Sequence, residues 1–484
     1  MKKRGSRLWY STGIKAGRSL FQRVMSQASV AGFVPLPAAG LLTSEGNEPK
    51  SGRFWGMPDL SLEMEVVMKK KIIAVIFGGH STEYEVSLQS AFSVLENLNA
   101  EKYHIIMIGI TREGEWYRYR GSHENIRNNT WFADSAFLTP VAVSQSRSVK
   151  GFLELVSVVS DETSGGKDSA ASADMTGSKD SAASVDMSGG KDSAASADMP
   201  GSKDSAASAD MSWGKDSAVS AGVTAGRYSV VKADLVFPVL HGKNGEDGTL
   251  QGLFELAGIP VVGCNTLSSA LCMDKGRAHT LARAAGVAVP KAVTFRRYEK
   301  GEALREIARR LHYPLFVKPV RAGSSFGITK VLRETELDMA IESAFVHDEE
   351  VTVEEAVEGF EVGCAVLGNE TLTVGRVDEI ELSEGFFDYT EKYTLKTSRI
   401  HMPARIDSQT ERRIQETAET VYRALGCSGF ARVDMFLTPD GEIVFNEVNT
   451  IPGCTSHSRY PNMMRGIGLS FADMLDRLIG LYME

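Results

Sequence analysis

The sequence has few cysteines, no long apolar run and no excess of positive charge. Its five cysteines among 484 residues are odd in number and none are spaced CxxC, which argues against a disulfide framework or a zinc knuckle. We predict buried structural thiols in a reducing, cytoplasmic compartment. No window offers the ~18 uninterrupted apolar residues of a membrane-spanning helix, so we expect no membrane partner. The net charge of −9 argues against a nucleic-acid partner, because phosphate binding needs clustered positive charge.

The remaining composition is that of an ordinary globular protein, with 43% apolar and 24% charged residues. At roughly 150 residues per domain, the length predicts about three domains. The N-terminal stretch is unlike the rest, because its first 40 residues carry seven basic side chains and no acidic one. That composition is typical of a transit or export segment. The alternatives are a disordered tail, or an upstream start with the natural start at Met64 or Met68. We expect residues 1–67 to lie outside the fold.

A second unusual stretch is an internal repeat, in which the pattern KDSAxS recurs every 12 residues. The repeats open at Lys167, Lys179, Lys191, Lys203 and Lys215. Serine, alanine, glycine and aspartate dominate, so the unit cannot bury enough apolar surface to offset its ordering entropy. We predict that residues 165–226 form a flexible insertion. Strand-like runs flank it at Gly151–Val159 and Tyr228–Leu240, which places it in a hairpin loop, where added length costs little.

The rest of the chain alternates strand-like and helix-like runs, which predicts an α/β or α+β enzyme fold. The strand-like runs are Lys71–Phe77, His104–Ile110, Ala233–Leu240, Pro314–Val320, Val351–Ala356, Ala431–Leu437 and Glu442–Asn449. The helix-like runs are Glu85–Leu98, Leu250–Ala257, Ser268–Ala285, Ala303–Leu311, Glu334–Ala344, Gln409–Leu425 and Phe471–Leu481.

The most informative element is a C-terminal hairpin, ARVDMFL and EIVFNEVN around a Thr-Pro-Asp-Gly turn. With proline and aspartate central in the turn, Asp434 pairs with Phe445 and Arg432 with Glu447. Alternate residues share a face, so Arg432, Asp434, Glu447 and Asn449 project together. Two carboxylates and an amide beside an arginine suit Mg²⁺ carrying phosphate. The alternative is a surface salt-bridge ladder.

Two lysines are candidates for phosphate binding. Lys318 ends a buried-type strand and is followed by the loop PVRAGSSFG. Small residues let backbone N–H groups approach phosphate, and the lysine supplies a point charge. Lys275, in the run CMDK, is the second candidate. The alternatives are a plain connecting loop and a solvated helix residue.

Three further segments contain candidate ligand contacts. In FGGHSTEYEVS, a helix N-terminus favours an anion while Glu83 and Glu85 favour an amine, which together suit a zwitterion such as an amino acid. His241 closes a buried-type strand among glycines. Lys392 and Tyr393 lie in a polar loop with no evident structural role. For each segment the alternative is that it serves only the fold or forms a plain surface loop.

Seven motifs in this order carry a family resemblance: FGGHSTEYEVS, LHGKNGEDGTLQG, MDK, KPVRAGSSFG, EKY, ARVDMF and NEVNTIPGCTSHSRYP. Over Lys69–Glu484 without the repeat, the chain resembles the D-alanine–D-alanine ligases of the ATP-grasp superfamily. It is most similar to the vancomycin-resistance branch of the D-alanine–D-serine type, because SRYP stands where housekeeping ligases usually carry leucine after the serine.

The resemblance implies a three-domain ATP-grasp fold: an N-terminal substrate domain over 68–264, a central domain over 265–353 and a C-terminal domain over 354–484. ATP would lie between the last two domains, with two Mg²⁺ or Mn²⁺ ions. It also implies a homodimer. The reaction would activate the carboxylate of one D-alanine as an acyl phosphate, which the amine of a second D-amino acid then attacks.

The resemblance also implies roles for individual residues. Catalytic roles fall to Glu83, Ser324, Tyr393 and Arg432; substrate binding to His241, Lys392, Gly453, Ser458 and Arg459; ATP binding to Lys275, Lys318, Ser325, Glu354, Glu355 and Glu361; and metal binding to Asp434, Glu447 and Asn449. Arg459 marks the resistance branch and Tyr393 the amine-using subset, so D-serine is the expected second substrate. The alternatives are a housekeeping D-alanine–D-alanine ligase, another ATP-grasp carboxylate–amine ligase and a catalytically inactive display protein.

Overall fold

The structure is a computed structural model that describes residues 70–156, 227–299, 306, 308–323, 326–382 and 398–483. The predictions for the N-terminal segment and the 12-residue repeat lie outside the described residues, as do residues 303–305 and 307 of the predicted helix Ala303–Leu311. The described residues form three sheets with helices packed on them. No helix among them is long and apolar enough to cross a membrane.

The first sheet has seven strands in the order β6-β5-β4-β3-β2-β1-β7. They are β1 Lys71–Gly78, β2 Tyr103–Ile110, β3 Trp116–Tyr119, β4 Leu138–Val143, β5 Gly151–Val156, β6 Arg227–Lys232 and β7 Leu235–Pro238. Strand β1 pairs in parallel with β2 and β7, and its side chains from Ile73 to Phe77 are fully buried, as expected for a parallel strand covered on both faces. The helices of this region are α1 Tyr84–Asn97, α2 His123–Arg127 and α3 Thr249–Ala257.

The repeat lies between two paired strands, as predicted, because β5 and β6 are antiparallel neighbours. The run Tyr228–Leu240 is two strands, however, and the prediction of one was wrong. The extended strand is interrupted at Ala233 and Asp234. There the Asp234 carboxylate accepts a hydrogen bond from the Ile72 N–H at 2.8 Å. Strands β6 and β7 are the two edges of the sheet. Since only two residues join them, the sheet curls until its edges meet.

The second sheet has four strands in the order β10-β9-β11-β8. They are β8 Ala292–Arg296, β9 Leu315–Pro319, β10 Thr329–Val331 and β11 Glu350–Glu355, with helices α4 Thr266–Met273, α5 Lys275–Ala284 and α6 Glu334–Ala344. Strand β11 runs two residues past the predicted domain boundary at 353. The predicted helix Ser268–Ala285 is in fact two helices. Asp274 is extended between them and accepts the Arg277 N–H at 2.9 Å as an N-cap.

The third sheet has five antiparallel strands in the order β14-β13-β12-β15-β16. They are β12 Phe360–Gly368, β13 Leu372–Leu382, β14 Ser398–His401, β15 Phe430–Leu437 and β16 Ile443–Asn449, with helices α7 Ser408–Ala424, α8 Arg459–Arg465 and α9 Phe471–Gly480. The amphipathic helix α7 buries Ile414, Ala418, Val421 and Tyr422 against this sheet.

The predicted hairpin of β15 and β16 is present, but the predicted register was wrong. Gly441 adopts a positive φ of 83° and lengthens the turn, so Leu437 pairs with Ile443. A bulge at Asn446 then shifts the pairing again, and Asp434 faces Glu447 while Arg432 faces Asn449. Directly paired residues share a face, so the prediction that the polar side chains project together is confirmed.

All five cysteines are free and buried, as the sequence predicted. Three of them lie at one junction in the core, where the sulfurs of Cys272 and Cys427 are 3.5 Å apart. Burial and the neighbouring Cys427 raise the pKa of Cys264, which keeps this thiol protonated and poorly nucleophilic.

The N-terminal segment and the repeat should be dispensable for folding and chemistry, because both lie outside the paired strands and the sequence motifs. A chain that starts at Met68 and carries a short turn in place of residues 165–226 should keep its thermal midpoint within a few degrees. The ligase activity implied by the family resemblance should keep kcat/KM within about threefold of the full chain. A folded variant that loses more than about tenfold in kcat/KM contradicts this expectation.

Glu350 should contribute stability that depends on pH. It is buried, and hydrogen bonds from Arg277 and Arg296 lower its pKa to about 2. A lowered carboxyl pKa stabilises the fold above the unfolded value of about 4.3, and that contribution is lost as the pH falls toward 2. Because both arginines are partly exposed, we expect Glu350→Gln to cost about 1–2 kcal/mol at pH 7.

The measurement is the thermal midpoint of wild type and variant between pH 7 and pH 3. The difference should be largest at neutral pH and shrink below about pH 4. Glu349→Gln is the matched control, since the neighbouring Glu349 side chain is 78% exposed and should change the midpoint little at any pH. A Glu350→Gln effect that is constant over this range would show that the charge of Glu350 is not what stabilises the fold.

Candidate active site

Nine of the predicted site residues line a cavity of about 500 Å³ where loops and strand ends of the three sheets meet. Five other described ones are not part of its lining: Lys318, Glu354, Glu355, Glu361 and Asp434. Glu83 comes from the start of α1, Lys275 from the start of α5 and Gly323 from the loop after β9. Arg432 reaches the cavity from β15, and Gly453 from the loop after β16. Residues up to 370 positions apart in the sequence therefore line one space. A second cavity of about 520 Å³ lies beside α5 and contains none of the predicted site residues.

The polar face of the hairpin forms one wall of the cavity. Arg432 binds Asp434 through two hydrogen bonds, Nε to Oδ1 at 2.8 Å and Nη2 to Oδ2 at 2.7 Å. The Asn449 amide donates to the same carboxylate at 2.9 Å. Burial alone would raise the pKa of Asp434, but Arg432 and Arg459 together lower it. The carboxylate is therefore ionised although it is almost fully buried, and the alternative of a salt-bridge ladder on the surface is excluded.

Arg459 lies under the same wall, at the first turn of α8. Its guanidinium binds Asp378 through two hydrogen bonds of 2.8 Å and Glu361 through one of 2.9 Å, and it lies 3.4 Å from Asp434. A Cβ at Gly363 would lie 2.7 Å from Asp378. Glycine is therefore needed at this position for the Arg459–Asp378 pair to pack against the sheet. Arg459 thus lines the cavity while its guanidinium contacts three carboxylates.

Lys275 is buried and is not the solvated helix residue of the alternative. Asp274 ends the preceding helix, which makes Lys275 the first residue of α5. Its Nζ donates to the Ala322 carbonyl at 2.8 Å and lies 3.7 Å from Glu447. The lysine therefore joins the loop after β9 to the hairpin.

Lys318 and Glu354 form an ion pair on the face of the second sheet. The other carboxylate oxygen of Glu354, Oε2, is buried and has no hydrogen-bond partner among the described residues, so it can accept a hydrogen bond from a ligand. Glu355 points to the opposite face, where it binds His312 at 2.8 Å. The Glu355 side chain therefore faces away from the Lys318–Glu354 pair, and its role in ATP binding stays a prediction. Glu361 lies on the cavity side, paired with Arg459.

Lys275, Lys318 and Glu354 are close enough together to act on a common neighbour, His279. Burial lowers the pKa of His279, Glu354 opposes that change, and the two lysines add to it. The imidazole is therefore neutral, and its Nε2 contacts the carbonyl of Asn446, the bulged residue of β16, at 2.7 Å. His279 was missed by sequence reasoning because its partner is created only by the bulge.

Glu83 precedes α1 and its carboxylate lies between two glycines. A Cβ at Gly242 would be 2.5 Å from its Oε2, and one at Gly323 would be 3.3 Å away. The carboxylate thus borders the loop whose next residue is the predicted Ser324. Ser324, Ser325, Lys392 and Tyr393 themselves lie outside the described residues.

His241 lines the cavity, but both of its ring nitrogens have partners within the protein, and its role in substrate binding stays a prediction. Its Nδ1 contacts the Ile451 carbonyl at 3.0 Å and its Nε2 contacts the Ser90 hydroxyl at 3.1 Å. The neighbouring Glu246 was not predicted at all. Its carboxylate accepts the Gly242 N–H at 2.8 Å and the Ile451 N–H at 3.2 Å. Burial, together with nearby Glu83, raises the pKa of Glu246 to about 8.

Gly453 and Ser458 lie side by side at the far end of the cavity. A Cβ at Gly453 would be 3.0 Å from the Ser458 hydroxyl oxygen, which leaves little room for another residue. The hydroxyl of Ser458 itself accepts the Thr455 N–H at 2.9 Å. The loop is therefore narrow, with its backbone close to the space a substrate would fill.

The hairpin wall could hold a divalent cation. Among the residues that the structure describes there is no cluster of three or more His, Cys, Asp or Glu residues arranged as a metal site. The candidate set has two carboxylates, Asp434 and Glu447, and one amide, Asn449. Oxygen donors of this kind suit Mg²⁺, which usually binds one or two protein carboxylates and keeps other positions for water or phosphate. The residues therefore fit the ion, with Asn449 turned to present its oxygen.

Comparison with known proteins gives a consistent result. The family description "D-ala D-ala ligase N-terminus" matches residues 72–264, and "D-ala D-ala ligase C-terminus" matches residues 281–480. The vancomycin B-type resistance protein VanB of Enterococcus faecalis is 41% identical over 422 residues, which cover 86% of this chain and 100% of VanB. A putative D-alanine–D-lactate ligase of Streptomyces coelicolor is 40% identical over 419 residues, 86% of this chain and 98% of that protein.

A solved structure is also similar. The crystal structure of the VanG D-Ala:D-Ser ligase from Enterococcus faecalis is 61% identical, with a TM-score of 0.68 over 86% of this chain and all of that one. The predicted ATP-grasp architecture is thereby confirmed. The chain belongs to the D-alanine–D-alanine ligase family of ATP-dependent ligases.

Proposed function

We propose that this protein joins D-alanine to a second D-amino acid at the cavity described above, and that D-serine is its preferred second substrate. The observation that carries the proposal is that Glu83, Lys275, Arg432 and Gly453 line one cavity beside the Asp434–Asn449 wall. An amine-binding carboxylate, a phosphate-binding lysine and two donors for an oxyanion are the groups that amide formation from a carboxylate requires.

The first step would activate a carboxylate. The carboxylate of the first D-alanine attacks the γ-phosphorus of ATP and releases ADP, which gives an acyl phosphate. Lys275 and Lys318 would hold the phosphates. The unpartnered Oε2 of Glu354 could accept a hydrogen bond from the amino group of adenine. Glu83 would bind the ammonium group of D-alanine, supported by the resemblance-based partners Ser324 and Tyr393. Asp434, Glu447 and Asn449 would hold Mg²⁺ or Mn²⁺, which neutralises charge on the transferred phosphoryl group.

The second step would form the amide bond. The unprotonated amine of the second amino acid attacks the acyl carbon, and the C–O bond to phosphate breaks as the tetrahedral intermediate collapses. Arg432 uses Nε and Nη2 for Asp434, which leaves Nη1 without a hydrogen bond to any described residue. That group and the Gly453 N–H would stabilise the developing oxyanion. Ser458 and Lys392 would bind the carboxylate of the second substrate.

The preference for D-serine is supported by two observations. The VanG ligase, titled a D-Ala:D-Ser ligase, is 61% identical, and Arg459 lines the cavity. Serine differs from alanine by one hydroxyl group, and a site that hydrogen-bonds this group can discriminate strongly. The guanidinium is held in place by Asp378 and Glu361, so its remaining N–H groups have a fixed direction.

The direct test is a competition assay with ATP, D-alanine, D-serine and D-lactate at equal concentrations, followed by identification of the products. We expect D-alanyl-D-serine to dominate, D-alanyl-D-alanine to be a secondary product, and the ester with lactate to be negligible. A product pool dominated by D-alanyl-D-alanine would favour the housekeeping ligase, and absence of any dipeptide would reject the ligase proposal for this substrate class.

Arg459→Leu should shift the product ratio toward D-alanyl-D-alanine, because it removes a polar group that lines the cavity. The variant also leaves Asp378 and Glu361 without their partner, so total turnover and stability should fall. The ratio is therefore the quantity to measure. Arg405→Leu is the matched control, since Arg405 pairs with Glu379 and Glu381 outside the cavity. An unchanged ratio in Arg459→Leu would show that this arginine does not select the second substrate.

Glu447→Ala should lower kcat by two or more orders of magnitude while the protein stays folded, because charge on the transferred phosphoryl group is left uncompensated. The measurement is the steady-state rate over a range of Mg²⁺ concentrations. Glu442→Ala is the control, since it removes an exposed glutamate from the turn of the same hairpin. If Glu447→Ala retains near-normal rates across that range, the hairpin wall is not the metal site.

A further inference from the structure

The backbone of the loop Ile451–Cys454, called here the oxyanion loop, is held by side chains from another part of the molecule. It follows β16 and contains Gly453, but it belongs to no helix or strand. Buried backbone groups outside secondary structure need other hydrogen-bond partners. Three such partners come from the first sheet and its helices: Ser90 on α1, and His241 and Glu246 in the segment after β7.

These three side chains grip the loop at both of its ends. At one end, the Ile451 N–H donates to Glu246 at 3.2 Å and the Ile451 carbonyl contacts His241 Nδ1 at 3.0 Å. At the other end, the Cys454 N–H donates to the Ser90 hydroxyl over a longer distance of 3.4 Å. Ser90 and His241 are themselves joined at 3.1 Å. The two ends are thus connected through one short chain of hydrogen bonds.

The direction of every bond in this chain follows from the chemistry of its members. A carbonyl oxygen can only accept, so the proton of the imidazole lies on Nδ1. Burial lowers the pKa of His241, so the ring is neutral and Nε2 accepts. The Ser90 hydroxyl must then donate to Nε2, which leaves its oxygen to accept the Cys454 N–H. The backbone of His241 is also held, because the Ser81 hydroxyl donates a hydrogen bond to the His241 carbonyl at 2.8 Å.

Ser90 cannot act on substrate directly. Its side chain is fully buried, and the residue is not among those that line the cavity. It lies 364 positions from Cys454 in the sequence, on the helix that begins beside Glu83. Whatever Ser90 contributes to the reaction must therefore pass through His241 and the oxyanion loop.

We propose that Ser90 is a positioning residue that, with His241 and Glu246, fixes the oxyanion loop so that the Gly453 N–H points at the reacting carbonyl. This inference rests on the proposed role of Gly453 in the second step. It also gives α1 two functions, since its N-terminal end presents Glu83 to the first substrate while Ser90, two turns later, holds the loop for the second step.

The test separates the two steps of the reaction in the full-length chain. Phosphoryl transfer precedes the oxyanion and should depend little on the loop. It is followed by positional isotope exchange in γ-¹⁸O-labelled ATP with D-alanine as the only amino acid, at a concentration too low for dipeptide formation. Ser90→Ala should lower kcat for dipeptide formation about 10- to 100-fold, the range expected when a reacting group is misplaced. Isotope exchange and the KM for ATP should change less than about threefold.

Two further variants sharpen the result. Ser93→Ala is the matched control on the same helix, because the Ser93 hydroxyl bonds only to the Gln89 carbonyl one turn earlier, and both rates should stay at wild-type values. Glu246→Asp shortens the side chain, draws the carboxylate back from Ile451 and should give the same selective loss as Ser90→Ala. If one of the two variants folds poorly, the other still tests the inference. Because both variants loosen one loop, the double variant should lose less than the product of the single losses.

The outcomes distinguish this inference from the proposed function. If wild-type protein makes no dipeptide, the proposed function fails. If wild-type protein is a ligase but Ser90→Ala and Glu246→Asp leave kcat unchanged, the positioning role is wrong. Equal losses in isotope exchange and dipeptide formation also overturn it, because they indicate a general structural defect. Fully multiplicative losses in the double variant would show that the two residues do not act on a common loop.

Discussion

The charge on Asp434 is the constraint on which the site depends. A carboxylate this deeply buried loses its hydration, and it stays ionised only if compensating charges and hydrogen bonds are close. Arg432 and Arg459 supply the charges, and the Asn449 amide supplies a further bond. Arg459 must in turn be neutralised, which Asp378 and Glu361 do. One buried charge therefore orders side chains on the four strands β12, β13, β15 and β16 and on α8.

The groups of the site are fixed in two different ways. Arg432, Asp434 and Glu447 project from paired strands of the third sheet, where the backbone is fixed by regular hydrogen bonds. The group proposed to receive the oxyanion, the Gly453 N–H, lies instead on a loop without such bonds. The hydrogen bonds that hold this loop come instead from the first sheet and its helices, through Ser90, His241 and Glu246. The two sheets that are farthest apart in the sequence thus form one site, and their mutual packing matters as much as any single residue.

Sequence reasoning worked where chemistry is local. The alternation of residues along β15 and β16 was enough to place Arg432, Asp434, Glu447 and Asn449 on one face, although the register itself was wrong. The error of one or two positions in the register arose from the turn at Gly441 and the bulge at Asn446. Such features involve small energies and leave only a weak pattern in the sequence. The face survived because two shifts of one residue each restored the parity of the pairing. Glu355 shows how much one position matters, since a single step along β11 places its side chain on the face opposite to that of Glu354.

The sequence by itself determined the family, the ATP-grasp architecture, the free buried thiols and nine of the residues that line the cavity, because ordered motifs and residue alternation are properties of the chain alone. The tertiary structure decided which of those residues are available for chemistry. His241 was predicted to bind substrate, yet both of its nitrogens are taken by Ser90 and Ile451. Ser90 lies outside the seven motifs, and Glu246 lies within one of them, LHGKNGEDGTLQG, without any feature that distinguishes it there. Their partners lie hundreds of positions away, and hydrogen bonds over such separations exist only once the sheets have packed together.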